Sequence, residues 1–200
     1  MKGSLLIVGL FLAGLLLGRS QLDLSFLDDD SLASWVLYGL MFLVGISIGS
    51  DTSTLRSVFG SKAKIFLVPL ATILGTLIAV ALLGVLWSGR PLWDYLAVGS
   101  GFGYYSLSSI FITEYRGIEL GAVALTTNIV REIITLLFAP WLVRWFSPLA
   151  PITAGGATTM DTTLPVITQF SGKEWVVVAI THGAIVDLSV PFLVTLFCTL

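Results

Sequence analysis

Residues 118–143 read IELGAVALTTNIVREIITLLFAPWLV. The run is apolar and long enough to cross a bilayer, whose hydrocarbon core of about 30 Å needs roughly 20 helical residues. Arg131 and Glu132 nevertheless lie near its middle. A charge at the centre of a membrane helix costs about 2.5–3.5 kcal/mol on insertion scales, so such residues face protein or an aqueous cavity. The run therefore predicts a membrane helix with a polar function.

Six further hydrophobic segments surround this run. Of the 200 residues, 56% are hydrophobic and 11% are charged, whereas a soluble domain carries about 25% charged residues. The sequence predicts an all-α, multi-pass integral membrane protein that forms a single membrane domain over residues 1–200, with about five to seven transmembrane segments. The other six segments are 3–18, 32–50, 65–87, 93–113, 152–170 and 174–200.

Two of these segments are broken. Segment 93–113 contains three glycines, and segment 152–170 contains Gly155-Gly156 and Pro165. Irregular backbone at membrane depth is tolerated only where it is buried in protein or lines water, and such breaks form substrate and ion sites in transporters. We expect both segments to be broken or re-entrant helices; the sequence leaves open whether they cross. The basic loop 51–64 is expected in the cytoplasm.

An internal repeat with an offset of 55 residues relates the two broken segments. Ile112-Thr113-Glu114-Tyr115-Arg116-Gly117 matches Ile167-Thr168-Gln169-Phe170-Ser171-Gly172 without a gap. Gly101 pairs with Gly156, and Glu132 pairs with Asp187. The repeat units are predicted to be 93–146 and 148–200, each a broken segment followed by a long helix with a central carboxylate.

The polar residues of these units are the predicted substrate and ion site. Carboxylates inside the membrane can hold a cation or carry a proton, and Arg131 is a fixed positive charge. No ATP-binding loop, zinc-protease motif or nucleic-acid-binding patch occurs. We therefore expect a transporter rather than an enzyme, with no cofactor, driven by an ion gradient or by the solute's own gradient. The candidate residues are Asn128, Arg131, Glu132, Asp161, Asp187, Gly101, Gly103, Tyr104, Ser106, Gly155, Gly156, Thr159 and Thr162.

Four motifs in this order carry a family resemblance. They are GFGYYSLSS at 101–109, NIVRE at 128–132, GGATTMDTTLP at 155–165, and His182-Gly183 followed by Val190-Pro191. Together they resemble the bacterial lysine exporter family of the LysO type over nearly the whole chain. The resemblance implies export of L-lysine and its toxic analogues across the inner (cytoplasmic) membrane. It also implies that membrane-embedded acidic residues carry transport, which correspond here to Glu132 and Asp161; Asp187 is not part of that pattern.

The expected mechanism follows from that resemblance. Glu132 and Asp161 would hold the lysine side chain or a coupled proton in alternation, an antiport mechanism, while Arg131 and the half-helix N-termini would meet the substrate carboxylate. Typical members carry a further hydrophobic region before the part matched here. We expect a second copy of the chain, or a small membrane protein, to supply that region. The alternatives are an exporter or antiporter for another amino acid or cation, and a membrane subunit active only with a partner.

Overall fold

The computed structural model describes Trp35, Ile46 and residues 63–87 and 89–200. The residues from 63 onwards lie in one compact unit, Leu40–Leu200. Apart from Trp35 and Ile46, the predicted segments 3–18 and 32–50 lie outside the described residues, as does the basic loop up to residue 62. In the described part the fold is helical, without strands, as predicted. Its α-helices are α1 (Leu67–Leu86), α2 (Leu92–Gly99), α3 (Tyr105–Arg116), α4 (Ile118–Trp145), α5 (Ala150–Gly155), α6 (Leu164–Ser171) and α7 (Val176–Thr199).

Three helices of this part are long and apolar enough to cross a membrane. They are α1, α4 and the helical stretch Lys173–Thr199, which consists of a short 3-10 turn and α7. Each exposes large apolar side chains, as Ile78 of α1, Leu137 of α4 and Phe192 of α7 illustrate. In α4 the buried residues recur at helical spacing on one face, so the rest of the helix surface is available to lipid. That buried face comprises Leu120, Gly121, Ala124, Asn128, Thr135 and Ala139.

The two glycine-rich segments break into short helices, as the sequence predicts. Residues 100–104 separate α2 from α3, with Phe102 at φ 45° and Gly103 at φ 97°. In the second segment, a 3-10 turn over Gly156–Met160 lies between α5 and α6, and Gly156 has φ 64°. Left-handed backbone of this kind ends a right-handed helix and favours glycine, which has no Cβ to clash. We call these two breaks turn A (100–104) and turn B (156–163).

Turn A and turn B touch each other through their backbones. The Ala157 N–H donates a hydrogen bond of 2.9 Å to the Phe102 carbonyl oxygen. A Cβ on Gly103 would lie 3.0 Å from the Gly155 carbonyl oxygen. The approach therefore depends on glycine on both sides, and it brings the broken ends of four short helices to one place.

His182 ties α1 and α7 to turn B. The imidazole is fully buried, with Nδ1 3.1 Å from the Thr159 hydroxyl and Nε2 2.9 Å from the Thr72 hydroxyl of α1. The Thr72 hydroxyl in turn donates a hydrogen bond to the Val68 carbonyl of the same helix, so both ring nitrogens have a hydroxyl within hydrogen-bond distance. This bridge fixes turn B against two membrane helices.

A cluster of charged side chains joins the starts of two helices to the ends of two others. Asp94 at the start of α2 pairs with Arg116 at the end of α3, at 3.6 Å, and with Arg90 at 3.9 Å. Arg90 also pairs with Glu119 at the start of α4. The Arg116 guanidinium donates to the Cys198 carbonyl oxygen near the end of α7. The starts of α2 and α4 and the ends of α3 and α7 therefore lie close together.

Candidate functional site

A cavity of about 330 Å³ lies where turn A, turn B and α7 meet. This volume is in the range of small-molecule sites, roughly 300–1,000 Å³. Six of the residues predicted from the sequence line it: Gly103, Tyr104, Ser106, Asp161, Thr162 and Asp187.

Two carboxylates give this cavity its charge. Asp187, in the middle of α7, is only 6% exposed, and its carboxylate has no hydrogen-bond or ion-pair partner among the described residues. Asp161, in turn B, is exposed, and its Oδ1 accepts a hydrogen bond from the Thr162 N–H. The two carboxylates interact electrostatically with each other and with the Tyr104 hydroxyl. A buried, unpaired carboxylate is costly unless a cation or a proton joins it, so the cavity suits a cationic ligand.

The remaining predicted glycines and uncharged polar residues lie behind the cavity lining. Asn128 of α4 accepts a hydrogen bond of 2.7 Å from the Gly103 N–H and donates one of 2.9 Å to the Ala124 carbonyl. A Cβ on Gly101 would lie 2.5 Å from the Asn128 amide nitrogen. Thr159 is fully buried and bonds to the Gly156 and Ala179 carbonyls. These residues hold the two turns in shape without facing the cavity.

Arg131 is bonded to the backbone of α5. Its Nε donates to the Ala154 carbonyl at 2.8 Å and its Nη2 donates to the Thr153 carbonyl at 3.0 Å. The last carbonyls of a helix have no partner within the helix, and the guanidinium supplies one to two of them. Arg131 does not line the cavity. By holding the end of α5, Arg131 positions turn B, which follows directly in the chain.

This geometry predicts that Arg131→Lys destabilises the protein although it keeps the charge. An ammonium cannot form the two parallel bonds of a guanidinium, and each unsatisfied buried carbonyl costs about 1–3 kcal/mol. We expect a loss of about 2 kcal/mol in unfolding free energy and a clear drop in melting temperature. Thermal unfolding of the purified protein in detergent measures this. Arg144→Lys, at an exposed position near the end of the same helix, is the matched control; equal stability of the two variants would refute the positioning role.

Glu132 lies apart from the other predicted residues. It is half-buried on α4, does not line the cavity, and has no ion-pair or hydrogen-bond partner in the described part of the chain. On a helix wheel it is about 40° from Asn128, at the edge of the buried face. The structure therefore does not bring Glu132 and Asp161 onto one surface.

Four lining residues were not among the predicted ones: Tyr105, Ala157, Thr158 and Met160. All four belong to the two broken motifs. Their position between residues that were already candidates could have identified them. Among the described residues, no group of three His, Cys, Asp or Glu side chains is arranged to hold a metal.

Comparison with known proteins agrees with these features. Residues 8–198 match the family model described as lysine exporter LysO. The chain is 35% identical over 198 residues to the lysine exporter LysO of Escherichia coli, covering 97% of this chain and 64% of that protein. It is 33% identical over 163 residues to a Haemophilus influenzae protein that is provisionally named a lysine exporter, covering 82% of each. No solved structure matches at a significant level.

The chain thus spans less than two thirds of the length of its E. coli relative. The family is described as one of exporters, not of enzymes, and the described helices include three that are apolar enough to span a membrane. The predicted membrane protein of a transport family is confirmed. The match over 8–198 and the two relatives show that the chain belongs to the lysine exporter LysO family.

Proposed function

We propose that this chain is a secondary transporter that exports L-lysine and lysine analogues across the inner (cytoplasmic) membrane. The names of the family and of both relatives support lysine as the substrate. One observation carries the proposal: an exposed carboxylate, Asp161, and a buried one, Asp187, line a single cavity at the contact between two broken membrane segments. Broken segments with free backbone groups are where transporters of this kind bind substrate.

The cavity offers complementary groups to each part of lysine. Asp187 and Asp161 would receive the ammonium groups, since charge-assisted bonds to carboxylates are the strongest available. The Tyr104 and Ser106 side chains supply hydroxyls at the rim. Turn A leads into the first turn of α3, where the Tyr105 N–H is bonded to the Gly103 carbonyl and the positive dipole end of the helix favours an anion. That helix end, rather than Arg131, would meet the substrate carboxylate.

Proton exchange would drive export. A carboxylate that releases an ammonium in a water-poor site takes up a proton, because an unpaired charge there is expensive. Of the two cavity carboxylates, the buried Asp187 would thus hold an ammonium and a proton in turn, which is antiport. Glu132 would be a separate proton carrier on α4, where it lacks a described partner.

Two re-entrant segments in an inverted repeat are the proposed architecture of the single membrane domain. The pairing of Asp94 with Arg116 supports a first segment that enters and leaves on one side. In the second segment, Leu149 before α5 and Trp175 before α7 pack on the same small core of Ile152, Ile167 and Ala179.

The helix boundaries support the repeat with units 93–146 and 148–200. Helix α3 ends at Arg116 and α6 ends at Ser171, which are 55 residues apart like the sequence matches. The next residues have similar backbones, with φ 93° and ψ 164° at Gly117 and φ 108° and ψ 156° at Gly172. The bond from Arg116 to the end of α7 supports an antiparallel arrangement of α4 and α7, as an inverted repeat requires.

Lysine efflux from cells tests the proposal. Cells that lack their own lysine exporter are loaded with a lysine dipeptide and express this chain alone, and external lysine is followed over time. We expect efflux well above that of vector-only cells, a decline when a protonophore collapses the proton gradient, and loss of efflux in Glu132→Gln. No efflux from a correctly inserted chain would contradict a self-sufficient transporter; rescue by a second membrane chain would then support the proposed partner, and a homo-oligomer would be excluded as sufficient.

A further inference from the structure

The cavity is lined by two carboxylates and, among the described residues, by no lysine, arginine or histidine. Arg131, whose guanidinium lies near turn B, is engaged by the Thr153 and Ala154 carbonyls. His182 is buried between Thr159 and Thr72. A substrate carboxylate in this cavity would therefore meet no full positive charge from the described residues.

The cavity would then bind the ammonium groups of lysine more strongly than its α-carboxylate. Each ammonium meets an ionised carboxylate, whereas the α-carboxylate meets only the end of helix α3, equivalent to roughly half an elementary charge. Because the α-carboxylate lies close to the α-ammonium, it is also held near the cavity carboxylates, which repel it. With two carboxylates in the lining, a ligand carrying two positive charges and no negative one balances the charge better than lysine does.

From this we infer that the cavity also takes α,ω-diamines of lysine's chain length, and that the chain exports them. The ligand class is lysine without its carboxylate, for example 1,5-diaminopentane. This inference rests on the proposed function, because it uses the same cavity and the same transport cycle. The recognition element is the pair Asp161 and Asp187, one exposed and one buried, which face a common space.

Inside-out membrane vesicles containing the full chain provide the test. Uptake of radiolabelled lysine is measured with increasing 1,5-diaminopentane, with norleucine, which lacks the side-chain ammonium, and with 1-aminopentane, which has a single ammonium of similar basicity. We expect the diamine to inhibit at concentrations within about tenfold of those of unlabelled lysine, and the other two compounds to be far weaker. Labelled diamine should itself accumulate, and only in vesicles that contain the chain.

The outcomes separate this inference from the function on which it rests. Lysine uptake that the diamine does not inhibit, or inhibits no better than 1-aminopentane does, would overturn the inference and leave lysine export standing. Strong inhibition by norleucine would also overturn it, because the cavity would then be reading the carboxylate end. Vesicles that move neither lysine nor diamine would contradict a self-sufficient transporter, and the proposed function of this chain on its own would fail together with the inference.

Discussion

Replacing Asp187 by Asn is expected to reduce lysine export by roughly 30-fold or more, because removing one partner of a buried charge pair costs about 2–5 kcal/mol and each 1.4 kcal/mol is about tenfold. The side chain keeps its shape but loses the charge that would hold an ammonium and the group that would carry a proton. Asp187 is buried and unpartnered among the described residues, so the folded protein does not depend on its charge. The efflux assay measures the loss, and a fluorescent fusion measures the amount of inserted protein.

Two related variants make the result specific. Asp161→Asn should act in the same direction but less severely, about tenfold, because an exposed charge is screened by water. Glu174→Gln alters an exposed carboxylate outside the cavity and should leave export unchanged. Normal export by a well-inserted Asp187→Asn variant would remove Asp187 from the transport path.

Gly156→Ala is expected to cause the largest loss of folded protein. Gly156 has φ 64° and ψ −129°, a region that is essentially restricted to glycine. An added Cβ would overlap the Phe102 carbonyl oxygen, which accepts the Ala157 N–H and joins the two turns. Backbone strain together with the loss of this buried hydrogen bond should cost about 3 kcal/mol or more. We expect the melting temperature to fall by about 10 °C.

Gly75→Ala is the matched control for that change. Gly75 lies in α1, and a Cβ there meets nothing within 4 Å. Alanine is favoured over glycine in a helix by up to about 1 kcal/mol, so this variant should be as stable as the parent protein and should export normally. If Gly156→Ala melted no earlier than Gly75→Ala, the direct contact between turn A and turn B would be refuted.

The long helices were largely predictable from the sequence because apolar length alone defines them. The predicted segments 65–87, 118–143 and 174–200 correspond to Leu67–Leu86, Ile118–Trp145 and Lys173–Thr199. The breaks were predictable too, because the glycines at 101, 103, 155 and 156 oppose a continuous helix. Local chemistry decides both features.

The partners of the charged residues could not be predicted in the same way. The repeat aligns Glu132 with Asp187, yet only Asp187 lines the cavity. Arg131 was expected to face the substrate, and its guanidinium instead bonds to α5. These differences arise from how distant elements pack, since the face of a helix that meets a given turn depends on contacts far apart along the chain. A sequence pattern predicts that a charge inside the membrane needs a partner, but it does not identify that partner.

Substrate protection of a single cysteine tests the central claim most directly, namely that lysine binds between turn B and Asp187. Thr162→Cys is introduced in a Cys198→Ala background, which leaves one thiol at the cavity rim. Its rate of modification by a water-soluble thiol reagent is measured with lysine, with norleucine and without ligand, and Gly89→Cys in an exposed turn is the control site. The account predicts that lysine slows labelling at residue 162 and leaves residue 89 unaffected, and that Asp187→Asn abolishes the protection. Equal labelling rates at residue 162 with and without saturating lysine, in a protein that still exports lysine, would contradict it.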